Sequence, residues 1–343
     1  MPHSKPSTDA VGFAAIWRRR GLLACLLYPL SMVFYALATL RRVLYRMGFL
    51  PVRHLPAPVV VVGNLTVGGA GKTPLIIHLA TSLRAHGMQP GIVSRGYRGA
   101  AKAVIAVTPQ SSPAAVGDEP LLLARRSQCP VYVGHDRVAA GEALLANHPA
   151  CDVILADDGL QHYRLARDVE IAVFDERGVM NGWQLPAGPL REPISRLARV
   201  DAIVQNGVGA VLPAPTFARP VFSMQLLGDS FYRLDNPQVI RHAEDFTGQT
   251  LHAVAGIGFP PRFFSHLQVL GMAFTAHPFA DHHVYQREDL LFAGDAILMT
   301  EKDAVKFAGL DLPLPVWVLP VTASVEPDLT TFILEKLNGR PLA

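Results

Sequence analysis

Apolar positions along this chain fall into three regimes. The first is an unbroken run over residues 21–40 (GLLACLLYPLSMVFYALATL), with no charged residue in twenty positions. As a helix rising about 1.5 Å per residue, such a run spans the roughly 30 Å hydrocarbon core of a bilayer. Arginines flank it on both sides, Trp17 and Tyr45 stand where interfacial aromatics anchor such helices, and Pro29 predicts a kink. A signal peptide is one rival, but its apolar region is shorter and no small-residue cleavage site follows here. A buried helix of a soluble protein is the other. An uncleaved membrane-associated helix, spanning or oblique, is the preferred reading; basic flanks at both ends leave its orientation open.

After a Pro-rich hinge over residues 50–58, short β-branched runs alternate with helical stretches, the pattern of a parallel sheet. Strands are expected at 59–62, 92–94, 103–107, 131–133, 153–156, 171–174 and 202–205, each short and apolar, as in strands buried on both faces. Helices are expected at 74–86 and 137–146, with Pro74 in a first turn where its missing N–H costs nothing. A loop-like stretch near 213–220 opens the third regime, a smaller alternation. Here a strand at 251–255 leads through Gly256-Ile257-Gly258-Phe259-Pro260 to a helix from about Arg262. Another at 296–300 leads into a helix at Glu301, and 316–321 is a last strand. The expected division is 1–48 for a disordered tail of ten residues and the apolar helix, 49–220 for the main domain, and 221–343 for a smaller α/β domain.

Composition agrees with this division. At 343 residues the chain exceeds one typical domain. Charged residues make up 17% against roughly 25% in ordinary soluble domains, and mean hydropathy is positive, so part of the chain is expected to leave water. A net charge of +3 gives no argument for nucleic acid, and the arginines at 18, 19, 20, 41, 42 and 46 direct attention to the apolar run instead. Cys25, Cys129 and Cys151 have the spacing of neither a disulfide framework nor a zinc site, which makes a reducing compartment the default.

Candidate chemistry lies at the strand ends. Gly68-Gly69-Ala70-Gly71-Lys72-Thr73 follows the strand at 59–62 and opens a helix. In that context glycines let backbone N–H groups converge on phosphate oxygens, Lys72 bridges β- and γ-phosphates, and Thr73 ligates Mg²⁺. Thr66 stands where the strict motif has its first glycine, so this is a variant of the phosphate-binding loop. Asp157 and Asp158 end another apolar strand and lead to Gln161 and His162; two acids there are costly without a cation. Asp118 and Glu119 open a Leu-rich helix, either as acids favoured by the helix dipole or as a proton acceptor and its metal-holding neighbour. In the third regime His282 and His283 follow Asp281, ahead of a helix expected from about Arg287; a metal site there lacks a third ligand, leaving an orienting histidine or an ordinary loop. Thr300-Glu301-Lys302-Asp303 is like a guanine-reading N-K-x-D with its lysine one place late, and is not read as GTP specificity.

Taken in order, the apolar segment, Gly-Asn-x-x-x-Gly-Gly-x-Gly-Lys-Thr-Pro, Ser94-Arg95-Gly96-Tyr97, Gly117-Asp118-Glu119-Pro120, Asp157-Asp158-Gly159-Leu160-Gln161-His162, Pro189-Leu190-Arg191-Glu192, Phe279-Ala280-Asp281-His282 and Thr300-Glu301-Lys302-Asp303 resemble the tetraacyldisaccharide 4'-kinases of lipid A synthesis, over residues 12–335. The resemblance implies ATP- and Mg²⁺-dependent phosphorylation of the 4'-hydroxyl of a tetraacylated glucosamine disaccharide 1-phosphate, by a bacterial inner-membrane enzyme facing the cytoplasm. It implies an α/β fold: a P-loop NTPase-type parallel-sheet domain, a second, smaller α/β domain and an N-terminal membrane-associated helix. It assigns Gly68 to Thr73 to the nucleotide, Thr73, Glu119, Asp157 and Asp158 to the metal, Asp118 as base paired with His282, and Gln161, His162, Arg191 and Glu192 to the acceptor sugar or phosphates. Expected partners are the acylated acceptor and the membrane surface. A membrane-associated P-loop GTPase, and a soluble sugar or cofactor kinase with a core helix at its start, are the competing readings.

Overall fold

The computed structural model describes residues 15–96, 103–207, 219–307 and 312–339. The ten-residue tail, Tyr97 and most of the stretch near 213 lie outside the described residues. Two compact units emerge: one runs Gly12–Leu226 and resumes at Ala323, and the other is Leu227–Thr322.

The first unit begins with α1 (Leu22–Arg46), which contains Pro29 and buries only Ala24 and Ser31. Among the described residues it is the one helix long and apolar enough to cross a membrane, by length and composition alone. Then follow β1 (Val59–Gly63), α2 (Lys72–Ala85), β2 (Pro90–Ser94), β3 (Ile105–Val107), α3 (Pro113–Val116), α4 (Asp118–Ser127), β4 (Val131–Val133), α5 (Arg137–Asn147), β5 (Val153–Asp157), β6 (Val169–Asp175), β7 (Ala202–Asn206) and β8 (Val221–Leu227). β1 is Val-Val-Val-Val-Gly and is buried throughout, as are β2, β5 and β6, because helices cover both faces of a parallel sheet.

β1 lies at the sheet centre, parallel to β5 on one side and β6 on the other, with Val62 opposite Asp157 and Gly63 opposite Ala172. The chain therefore leaves β1 at a point where strand order reverses, and its carboxyl end faces a crevice ready for a ligand. β3 departs from the expected parallel pattern, pairing antiparallel with β4 at one edge.

The second unit contains β9 (Ser230–Arg233), β10 (Asn236–His242), β11 (Leu251–Ala255), α6 (Pro260–Val269), β12 (Thr275–Pro278), β13 (Ala296–Thr300), α7 (Glu301–Ala304) and β14 (Val316–Leu319). Its sheet runs β10-β9-β14-β13-β11-β12, with β11 to β14 parallel and the β9–β10 hairpin antiparallel. Phe231, Phe246, Leu267 and Trp317 fill its core.

Three expectations need correction. The helix expected at Glu301 is a single turn, and the one near Arg287 is a 3₁₀ turn, Arg287–Leu290. The smaller domain does not extend from 221 to 343: β8, β15 (Thr322–Glu326) and α8 (Leu329–Leu337) complete the first sheet, in the order β15-β8-β7-β6-β1-β5-β2-β4-β3. The reason is α8's apolar face. Leu329, Phe332 and Ile333 are buried, the Phe332 ring meets Phe222 of β8 edge-on at 5.4 Å, and Lys336 reaches Asp201 at 3.2 Å.

Candidate active site

The loop from Gly63 to α2 is held from outside by side chains. Asn64 Nδ2 donates to the carbonyl of Gly68 (2.9 Å), Arg177 to that of Gly69 (3.0 Å), and Asn206 Nδ2 to that of Ala70 (3.1 Å). These bonds fix three successive peptides of the loop just before α2, the place where a backbone can cradle an anion. Gly68 and Gly71 have φ of 106° and 93°, values closed to most side chains. A Cβ at Gly71 would also stand 2.2 Å from Asn206 Nδ2. Glycine is required there twice over.

Lys72 projects back across its own loop, its Nζ 3.1 Å from Asn64 Oδ1 and 3.4 Å from Asp158 Oδ1. Asp158 in turn receives Arg191, whose Nη1 lies 3.0 and 2.8 Å from the two carboxylate oxygens. Burial alone would raise the Asp158 pKa, but Lys72 and Arg191 outweigh it and hold the group well below the usual carboxylate range.

Asp157, one residue earlier at the end of β5, behaves oppositely. It is 2% exposed; Oδ2 accepts from Ser94 (2.9 Å) and Oδ1 is buried without a hydrogen-bond partner among the described residues. Burial, then the nearby charge of Glu119, pushes its pKa up to about 7. A buried carboxylate oxygen without a partner, within reach of the charge of Glu119, is a group that a hard cation would satisfy, although no cluster of three or more His, Cys, Asp or Glu is gathered for one among the described residues. Asp118 and Glu119 open α4 after Gly117; Asp118 is buried and its Oδ1 accepts from the Glu119 amide at 2.9 Å.

Around Arg191 the remaining expected residues gather. Gln161 donates to Glu192 (3.2 Å) and to the Asn64 carbonyl (3.3 Å), and Glu192 accepts from the Tyr163 hydroxyl. His162 lies 3.8 Å from Asp136; burial and Arg137 push its pKa down to about 4, so its imidazole is neutral near pH 7. Lys72, Thr73, Asp157, Asp158, Gln161, His162, Arg191 and Glu192 thus all belong to the carboxyl edge of one sheet. His282 does not: it belongs to the second unit, in the left-handed region (φ 59°) and 3.7 Å from Asp281, which also holds Lys302 at 3.0 Å. His283 pairs with Asp289 at 2.9 Å.

The tetrad Thr300 to Asp303 is structural. Asp303 is fully buried and accepts from the Gly256 amide, Tyr285, Thr300 and Lys306, all within 3.0 Å, so no carboxylate is spare to read a base. Sequence reasoning gave no role to Asn64, Ser94, Arg177 and Asn206. Their signal was weak but present, since Ser94 and Asn206 end apolar strands just as Asp157 does.

A strand, a glycine-rich loop and a helix carrying Lys-Thr, set against acids at the end of the neighbouring strand, define a P-loop phosphotransferase. The model of the family Tetraacyldisaccharide-1-P 4'-kinase matches residues 23–338. The tetraacyldisaccharide 4'-kinase of Azoarcus sp. (strain BH72) is 52% identical over 329 residues, covering 95% of this chain and 96% of that one. That of Dechloromonas aromatica (strain RCB) is 54% identical over 328 residues, covering 95% and 96%. A crystal structure of LpxK from Aquifex aeolicus, an "apo" form in complex with ATP, superposes with a TM-score of 0.77 at 30% identity, over 92% of this chain and 99% of that one. The chain belongs to the tetraacyldisaccharide-1-P 4'-kinase family, and it is a kinase; the GTPase reading is not favoured.

Proposed function

We propose that this enzyme transfers the γ-phosphoryl group of ATP to the 4'-hydroxyl of a tetraacylated glucosamine disaccharide 1-phosphate, at the cytoplasmic face of a bacterial inner membrane. The observation that carries the reading is the run Lys72–Asp158–Arg191, which joins the nucleotide loop to a cationic flank at which a phosphorylated sugar can be received. In this reading the loop from Gly68 to Thr73 holds the phosphates, and Lys72 leaves Asp158 to neutralise charge developing on the transferred group. Asp118 takes the proton of the attacking hydroxyl, and His282 is the further residue assigned to catalysis. Gln161, His162, Arg191 and Glu192 hold the acceptor, and neutral His162 can accept a hydrogen bond from a sugar hydroxyl. Thr73, Glu119, Asp157 and Asp158 would hold Mg²⁺, which when bound screens the phosphate charge.

The exposed apolar side chains of α1 support the membrane reading: Leu22, Leu26, Leu30 and Leu37 are each more than half exposed. An acylated acceptor cannot leave the bilayer cheaply, at about 0.8 kcal/mol per buried CH₂, so the enzyme must come to the surface. The test is incubation of the full-length protein with γ-labelled ATP and the acylated disaccharide 1-phosphate. Label is expected in the lipid at the 4' position; preferential GTP binding with no label in the lipid would overturn the proposal.

A further inference from the structure

α1 needs no polar residue to be an anchor, yet it buries one. Ser31 is 2% exposed in a helix whose other buried residue is Ala24. A buried hydroxyl is costly unless hydrogen-bonded, and this one is used in both directions: Ser31 Oγ donates to the carbonyl of Gln184 (2.9 Å) and accepts from the amide of Ala187 (2.9 Å). Those two groups belong to residues 181–192, a segment folded tightly on itself. Leu190 N donates to Trp183 O, Leu185 N to Leu190 O, and a Cβ at Gly188 would stand 2.2 Å from Trp183 O.

The far edge of the same segment is bonded to the phosphate-binding loop. Val67 N donates to Pro189 O (2.9 Å) and Arg191 N to Leu65 O (2.7 Å), with Thr66 bridged to Leu190 between them. Next to the end of the segment stands Arg191, the residue bound to Asp158. Three further contacts support it, two from the residues just before the helix and one from its last turn. Arg20 and Trp17 bond the carbonyls of Asn181 and Pro186, and the Tyr45 ring lies 6.0 Å from that of Tyr163, the partner of Glu192.

We infer that α1 is part of the framework of the acceptor site, and that Ser31 is the positioning residue through which the helix fixes residues 184–191 and hence Arg191. The inference rests on the proposed role of Arg191 at the acceptor. Removing the hydroxyl leaves the buried Ala187 amide without its partner and the Gln184 carbonyl with only its bond from the Gly188 amide (2.9 Å), without making the helix less apolar, so anchoring and positioning can be measured apart.

The experiment compares full-length wild type, Ser31→Ala and Ser31→Thr in detergent micelles containing the acylated disaccharide 1-phosphate. It also measures flotation with phosphatidylethanolamine–phosphatidylglycerol vesicles and amide hydrogen exchange. Ser31→Ala is expected to float like wild type and to keep its KM for ATP, while kcat falls about tenfold and the Ala187 and Arg191 amides exchange at least about tenfold faster. Ser31→Thr, which keeps the hydroxyl, is expected to restore both. Undiminished kcat in Ser31→Ala, or a loss of turnover that merely tracks lost flotation, would overturn the inference. If wild type itself transfers no phosphate to this acceptor, the functional reading fails separately. Faster exchange reaching Arg191 in Ser31→Ala then still upholds the framework, and unchanged exchange refutes it.

Discussion

Asp157 and Asp158 are adjacent in the chain, yet their surroundings drive them apart: burial beside Glu119 lifts the first to about 7, and Lys72 with Arg191 holds the second low. Asp157 therefore keeps its proton to higher pH folded than unfolded. The stability this gives is present below the ordinary carboxylate range and is lost as pH rises through about 7. Asp157→Asn is expected to raise the Tm of the nucleotide-free protein by a few degrees near pH 8 and to leave it nearly unchanged near pH 4, by calorimetry. Turnover of the same variant should fall at least about a hundredfold if this carboxylate serves the metal. Gly71→Ala combines a left-handed backbone with a Cβ against Asn206, so its affinity for ATP should drop at least about tenfold by titration calorimetry, with α2 still formed.

The loop and the strand-end acids could be read from sequence because each pairs a buried apolar run with chemistry at its end. Asn206 and Arg177 could not, because one polar residue after a strand looks like any turn. Only the folded loop reveals that they take the carbonyls of Ala70 and Gly69.

Among the elements, the buried strands were legible to within a residue or two: β1, β4, β5, β11 and β13 are runs that nothing but a covered sheet accommodates. The elements that were missed lie toward sheet edges or carry weaker patterns. β8 alternates exposed and buried positions, β10 is half-exposed or exposed throughout, and the helical face of α8 is only nine residues long. α1 was legible as an apolar helix, but its single-sided docking through Ser31 was not, since a serine in such a run carries no signal of its partner. The helix leaves Leu26 and Leu37 exposed on its free side. Leu26→Ser with Leu37→Ser is expected to weaken vesicle flotation about tenfold or more, from the loss of two apolar side chains at roughly 1.5–3 kcal/mol each, and to leave thermal stability unchanged.

At the scale of the molecule, the residues assigned to proton transfer are divided between the units, Asp118 in the first and His282 in the second. Asp118→Ala and His282→Ala should each cost more in kcat than in KM for ATP, a split that steady-state kinetics resolves. Near-wild-type turnover of Asp118→Ala would exclude it as the base.

The division of the chain was partly legible. A second alternation was readable, but its bounds were not: β8, β15 and α8 are distinguished from the elements beside them only by what their apolar residues pack against. Phe332→Ala should accordingly destabilise the nucleotide-binding unit by about 3 kcal/mol in denaturant unfolding, although the residue lies far along the chain from the strand it packs against.

That arrangement has a consequence for synthesis. β15 and α8 are translated after all of Leu227–Thr322, so a ribosome-bound chain carries the phosphate-binding loop with one edge of its sheet unfinished. β8, the strand that β15 will cover, is meanwhile exposed as a free edge, the kind of surface that invites wrong pairing between nascent chains. Prompt folding of the intervening unit brings the two points of attachment together and shortens that interval. A mutation confined to the core of the smaller unit is therefore capable of lowering the yield of soluble enzyme without touching the site.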